Sequence, residues 1–260
     1  MCPDDPSTPE PGSELRPDLL ELYNAAYKGD GRSEWLEVNA QGKAMNIARL
    51  AAGIPHRRIV EIGAGNGAVL QHLDDIGFGD ELTALEISVA GIDAIRRRGL
   101  SRLKEGVLFD GAHMPFPDRS FDLAVLSHVV EHLEHPRQML YEAARVADYL
   151  FVEVPLEDNG RIPLDFVMDE STGHVNFYNR TTIRQLLQTS GFEVLAQTVT
   201  NVSRRVFEIS DGPVRGPLRH AMREVALRLA PGVARQLFCY HSSLLAAPRR
   251  DTAVGGAPHR

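Results

Sequence analysis

Between Val60 and Gly67 the chain reads VEIGAGNG, a strand-like run closing on glycines at positions 63, 65 and 67. Glycine lets a backbone turn sharply and lets a ligand approach with no Cβ in the way. A dinucleotide loop spaces its glycines G-x-G-x-x-G and sets a pyrophosphate on the following helix. Here the spacing is G-x-G-x-G, and an acid, Glu61, stands just before it. That acid would repel a pyrophosphate and suits a ligand carrying an ammonium group. Glu86 ends the next apolar run, where a carboxylate can accept ribose hydroxyls, and Ile87 follows it. Asp110, followed by Gly111, ends a third run and can accept from an adenine amine; Ser127-His128 ends a fourth. Alone, the glycines could be plain turns and each acid a helix cap. Together, at successive strand ends, they describe one ligand site.

A second group is rich in imidazole. His128-Val129-Val130-Glu131-His132 spells the H-x-x-E-H of inverted zinc proteases. A protease carries that motif on a helix, whereas here it leaves a strand, so that chemistry is excluded. His132 lies on the rim past the fourth run, and His174 sits in a Gly-rich turn before a helix starting near Thr181. An imidazole titrates near pH 6.5 and can remove a proton at neutral pH. His132, His174 and His128 are therefore the candidate catalytic residues, with His132 and His174 expected to converge. The simpler alternative is that Glu131 and His132 only orient their loop.

The elements that must position these groups are legible as texture. IVEIG (59–63), LTALEI (82–87), VLFD (107–110), FDLAVLS (121–127) and YLFVEV (149–154) are predicted strands, with helical periodicity over 67–76, 89–98 and 136–147 between them. Such alternation predicts βαβ units around a buried parallel sheet. Beyond them come a helix (181–190), a stop at Gly191, and two strand-like runs, FEVLAQTV (192–199) and RRVFEI (204–209), able to pair antiparallel. The expected organisation is a disordered tail over 1–14, N-terminal lid helices over 15–52, and a ligand-binding domain over 53–210. A basic helical extension (211–247) and a second disordered tail (248–260) complete it. Among the 260 residues the formal net charge is −7, which argues against a general nucleic-acid binder. Residues 211–260 nevertheless hold eight Arg against three acids, a solvated face or a dock for an anionic substrate or carrier. No apolar run reaches the ~20 residues of a membrane span, and the two cysteines form no framework, so a cytoplasmic protein is expected.

The stretches VEIGAGNGAVL, ALEIS and FDGAHMPFPDRSFDLAVLSHVVEHLEHP resemble class I S-adenosylmethionine-dependent methyltransferases, especially the methyltransferase type 11/23 group. GHVNFYNRTTIRQLLQTSGFEV (173–194) is similar to a later segment of that group. The resemblance implies a Rossmann-like seven-stranded α/β sheet, order 3-2-1-4-5-7-6 with strand 7 antiparallel and helices on both faces. It implies S-adenosylmethionine as methyl donor, held by Glu61, Gly63, Gly65 and Gly67, by Glu86 and Ile87, by Asp110 and Gly111, and by backbone at Ser127. Tyr23 or Tyr27 of the lid would reach the cofactor carboxylate. It also leaves a metal-assisted variant open, of a kind that methylates 2′-hydroxyls, with His128, Glu131, His132 and His174 as ligands; a divalent metal is not the favoured expectation. O-methylation of a small-molecule acceptor is expected, with N- or C-methylation and a non-methylating cofactor-binding protein as alternatives.

Overall fold

The structure, a computed structural model, describes residues 34–158 and 173–250. Tyr23, Tyr27, the 1–14 tail and nearly all of the 248–260 tail lie outside the described residues. Helix α1 (Glu34–Ala51) has Glu34 and Glu37 in its first turn and Arg49 in its last, the signs its dipole favours. It buries Ala40, Ala44, Ile47 and Ala51, spaced to form one narrow stripe. The chain then alternates β1 (Arg58–Ile62), α2 (Ala68–Asp75), β2 (Glu81–Glu86), α3 (Val89–Arg98), β3 (Leu103–Leu108), β4 (Phe121–Ser127), α4 (Pro136–Val146) and β5 (Ala147–Pro155). Helix α5 (Arg180–Thr189) and β6 (Phe192–Thr200) follow, then α6 (Arg204–Leu229), α7 (Pro231–Leu237) and β7 (His241–Pro248).

The seven strands form one sheet in the order β3-β2-β1-β4-β5-β7-β6, as expected. Pairing is parallel from β3 to β5, and β7 runs antiparallel to both β5 and β6. A sheet covered on both faces needs strands apolar on both faces. Accordingly Val60, Ile62, Leu126 and Val152 enter one core while Ile59, Leu123, Val125 and Phe151 enter the other. Among the described residues, no helix is long and apolar enough to cross a membrane.

Two expectations are corrected. RRVFEI (204–209) is the first turn and a half of α6, not a strand. Its six-residue alternation also fits a helix, in which Arg204 reaches Glu208 at 2.7 Å and Val206 and Phe207 are buried. The seventh strand is His241–Pro248, which was assigned to the basic helical extension and the start of the tail. The helices of the 211–247 region are real, but they form an insertion between β6 and β7, and the domain therefore runs past residue 210. HSSLLAAP carries no β-branched or aromatic residue, so propensity pointed away from a strand. Its place between β5 and β6, with six of its eight residues buried, selects small and aliphatic side chains instead.

Candidate active site

Gly63, Gly65 and Gly67 all take left-handed backbone, at φ 70°, 55° and 75°. The loop is clipped to the end of β2, because Gly63 and Ala64 donate their N–H groups to the Leu85 carbonyl at 2.8 and 3.0 Å. A Cβ on Gly63 would lie 2.8 Å from Val129, and one on Gly67 would lie 2.9 Å from Ile95. Gly67 is therefore required by packing against α3. Glu86 accepts from the Gly65 N–H (2.8 Å) and the Ser88 N–H (3.0 Å), so it also shapes the loop it faces. Burial raises its pKa to about 7 against the pull of those bonds. Glu61 is buried, its Oε2 has no hydrogen-bond partner, and desolvation lifts its pKa to about 8. Ile87 is half-buried and Ser127 buried, while Asp110 is exposed at the rim and accepts from its own turn at Ala112 and His113.

A buried carboxyl oxygen with no hydrogen-bond partner carries a desolvation cost unless a donor reaches it. The ammonium of S-adenosylmethionine would be such a donor for Glu61. With three left-handed glycines beside it, the residues fit that cofactor.

Val175 and Asn176 donate their N–H groups to the Glu131 carbonyl, both at 2.9 Å, and the Asn176 side chain donates to Leu133 at 2.6 Å. These bonds staple the 173–176 segment over the exit of β4. The rings of His132 and His174 consequently meet edge to face, with centroids 4.6 Å apart. His132 Nδ1 donates to the Gly173 carbonyl at 3.0 Å, and a carbonyl can only accept, so the neutral ring keeps its lone pair on Nε2. Burial lowers the His132 pKa, although the adjacent Glu131 opposes it. Burial also works against charge on His174, but its 2.7 Å bond to Glu157 outweighs this and raises the pKa. His128 sits in left-handed backbone at φ 57°, a conformation that is strained for a side chain with a Cβ and clusters at functional sites.

A methyltransferase domain family model matches residues 36–197. The chain belongs to this family, the class I S-adenosylmethionine-dependent methyltransferases. It is 36% identical over 140 residues to the fatty-acid O-methyltransferase of Mycolicibacterium smegmatis, covering 51% of this chain and 50% of that protein. It is 25% identical over 136 residues to the demethylmenaquinone methyltransferase of Renibacterium salmoninarum, covering 51% and 56%. The chain thus spans about half the length of the curated relatives it matches. Among solved structures it is similar to the SpnF cyclase, with TM-score 0.60 and 19% identity over 92% of this chain and 96% of that one, a likeness of fold alone.

The methyltransferase also carries candidate site residues that the motifs did not announce. Glu153 of β5 is fully buried; its Oε2 accepts from Asn46 Nδ2 of α1 (2.8 Å) and from Ser243 Oγ of β7 (2.5 Å). His241 opens β7 with Nδ1 3.8 Å from Glu153 Oε1. Desolvation, reinforced by His128 and Lys43, drives its pKa down to about 3. Lys43 faces Glu153, Glu131 and Glu61, and burial lowers its pKa in spite of them. Lys43, Asn46 and His241 line a cleft of about 400 Å³ between α1, the end of β6 and α6, with Thr200, Asn201 and Glu224 on its other walls. The only hint in the sequence was an acid inside the apolar run YLFVEV. The four ligands of the metal-assisted variant do not form one set. Glu131, His132 and His174 make one group whose ligand atoms lie within 4.8 Å, and His128 joins Glu153 and His241 in another.

Proposed function

We propose that this methyltransferase transfers the methyl group of S-adenosylmethionine to an oxygen of a small-molecule acceptor, with His132 as general base and His174 as its orienting partner. The cofactor supplies an activated methyl on a sulfonium. The protein's work is then to hold the reacting groups in line and to take the acceptor's proton. The observation that carries this reading is the His132–His174 pair over the β4 exit, with His132 Nδ1 tied to Gly173 and its Nε2 left as the basic nitrogen. Glu61, Gly63 and Gly65 hold the methionine end in this reading. Glu86 and Ile87 hold the ribose and adenine, Asp110 and Gly111 meet the adenine amine, and Ser127 lies by the sulfonium.

The cleft beside Lys43 and His241 is the acceptor's place, and its mixture of polar and apolar walls suits a small organic molecule. A relative named for fatty-acid O-methylation agrees with an oxygen acceptor. One named for demethylmenaquinone methylation keeps transfer to carbon as the second reading. The test is transfer of labelled methyl from S-adenosylmethionine to fatty acids, phenols and quinols, with the product's methylated atom assigned by NMR. Label on an oxygen, lost in His132→Ala, supports the reading. Label on carbon or nitrogen removes it, and tight cofactor binding without any transfer would make the chain a cofactor-binding module.

A further inference from the structure

Beside the His132–His174 pair, a second constellation stands at the acceptor cleft proposed above, and none of its members has been given a step in the transfer. We propose that His128, Glu153 and His241 form a binding site for one first-row transition dication, zinc or ferrous iron, at the floor of the cleft. The donor set is two imidazoles and one carboxylate, which these ions favour over magnesium or calcium. His128 Nε2 and His241 Nδ1 stand 3.7 and 3.8 Å from the same oxygen, Glu153 Oε1. Those spacings are too long for hydrogen bonds. They lie close to the edge of a tetrahedron around an ion with bonds of about 2.1 Å, roughly 3.4 Å. Glu153 Oε1 and His128 Nε2 are buried and have no hydrogen-bond partner, although Glu153 is wholly enclosed.

The groups behind these atoms are arranged as a metal's outer shell requires. A ligating imidazole characteristically has a carboxylate on its other nitrogen, and a ligating carboxylate has donors on its other oxygen. His128 Nδ1 is 3.3 Å from Glu131 Oε1. Glu153 Oε2 takes the Asn46 and Ser243 donors. The strained backbone at His128 turns that ring into this place. His241 lines the cleft, which gives an ion a route in and leaves its fourth position open to solvent or to an acceptor oxygen.

The test uses the full chain, stripped with chelator and titrated with Co²⁺ as a spectroscopic probe and then with Zn²⁺ by calorimetry. One equivalent should bind, with the d–d absorption of a low-coordinate nitrogen–oxygen site. His241→Gln and His128→Gln should each weaken binding by at least about 100-fold, a ligand counting for no less than the groups behind it. His174→Gln should leave the affinity unchanged. Absence of a stoichiometric ion overturns the proposal. Binding lost in His174→Gln but kept in His241→Gln also overturns it, because the ion then sits with Glu131 and His132. If His241→Gln fails to fold, His128→Gln, at the less enclosed ring, decides the matter on its own.

Discussion

Glu61 and Glu86, the two buried acids of the proposed cofactor site, carry raised pKa values, and this has a consequence for binding. With a pKa of about 8, Glu61 is mostly protonated at pH 7. A cofactor ammonium placed beside it favours the carboxylate, so binding should expel close to one proton. Calorimetry at pH 7 in phosphate and in Tris should then give different apparent enthalpies, and Glu61→Gln should abolish the difference. Equal enthalpies in the wild type would mean the ammonium is held elsewhere. Glu86→Ala should weaken S-adenosylmethionine by about 1.5–3 kcal/mol, the range for a hydrogen bond to a charged group. The His132 pKa moves the other way. A base must be neutral to accept a proton, and a lowered pKa keeps His132 neutral through the physiological range. Activity should therefore stay level near neutrality and fall with acid only below pH 6.5. The groups facing the ring are Glu131, His174, His128 and the Gly173 carbonyl. His132→Ala should lower kcat by about 10²–10⁴-fold and remove the acid limb. An acid limb that survives this change belongs to another group.

At the scale of elements, the glycine loop separates residues whose backbone is special from residues that merely fill space. Gly65 is left-handed at φ 55°, and its N–H is held by Glu86. Gly65→Val sets a branched side chain against that conformation, so it should abolish cofactor binding while circular dichroism reports an intact fold. Normal binding by this variant would reduce the loop to a turn. The loop could be read from sequence because its glycines and acids are contiguous or end strands of clear texture. β1, β2, β4 and β5 were legible for the same reason, being continuous apolar runs bounded by turns. β3 (Leu103–Leu108), by contrast, shares only residues 107–108 with the expected run VLFD (107–110), because its LKEG start at the sheet edge is polar and largely exposed. The Glu153–His241–Lys43 group was not legible. Its members come from β5, β7 and α1, up to 198 positions apart, and no local pattern links a lysine in a helix to a histidine opening a strand. The convergence of His132 and His174 could be expected from their positions on one rim. The device that enforces it, backbone donors of 175–176 on the Glu131 carbonyl, is invisible in residue types.

For the molecule as a whole, the unexpected element is the last one. The insertion of α6 and α7 between β6 and β7 means that the sheet and the site are both closed by the end of the described chain. Leu244 lies in the core with Val152 and Val154, while Leu245 lies in the opposite core with Phe151. Leu244 is fully buried, so Leu244→Ala should cost about 2–5 kcal/mol in urea unfolding, as core truncations do. Leu218 of α6 is 71% exposed and lies outside both cores, so Leu218→Ala should stay within about 0.5 kcal/mol. The contrast distinguishes the two descriptions of this region. If residues 211–247 were an appended basic helix, both leucines would be peripheral and both changes mild. Because β7 lies between β5 and β6 and carries Ser243 to Glu153, Leu244→Ala should also loosen the cleft floor, costing cofactor-dependent turnover at temperatures where the fold still holds. A mild effect of Leu244→Ala on stability would contradict the placement of β7 inside the sheet.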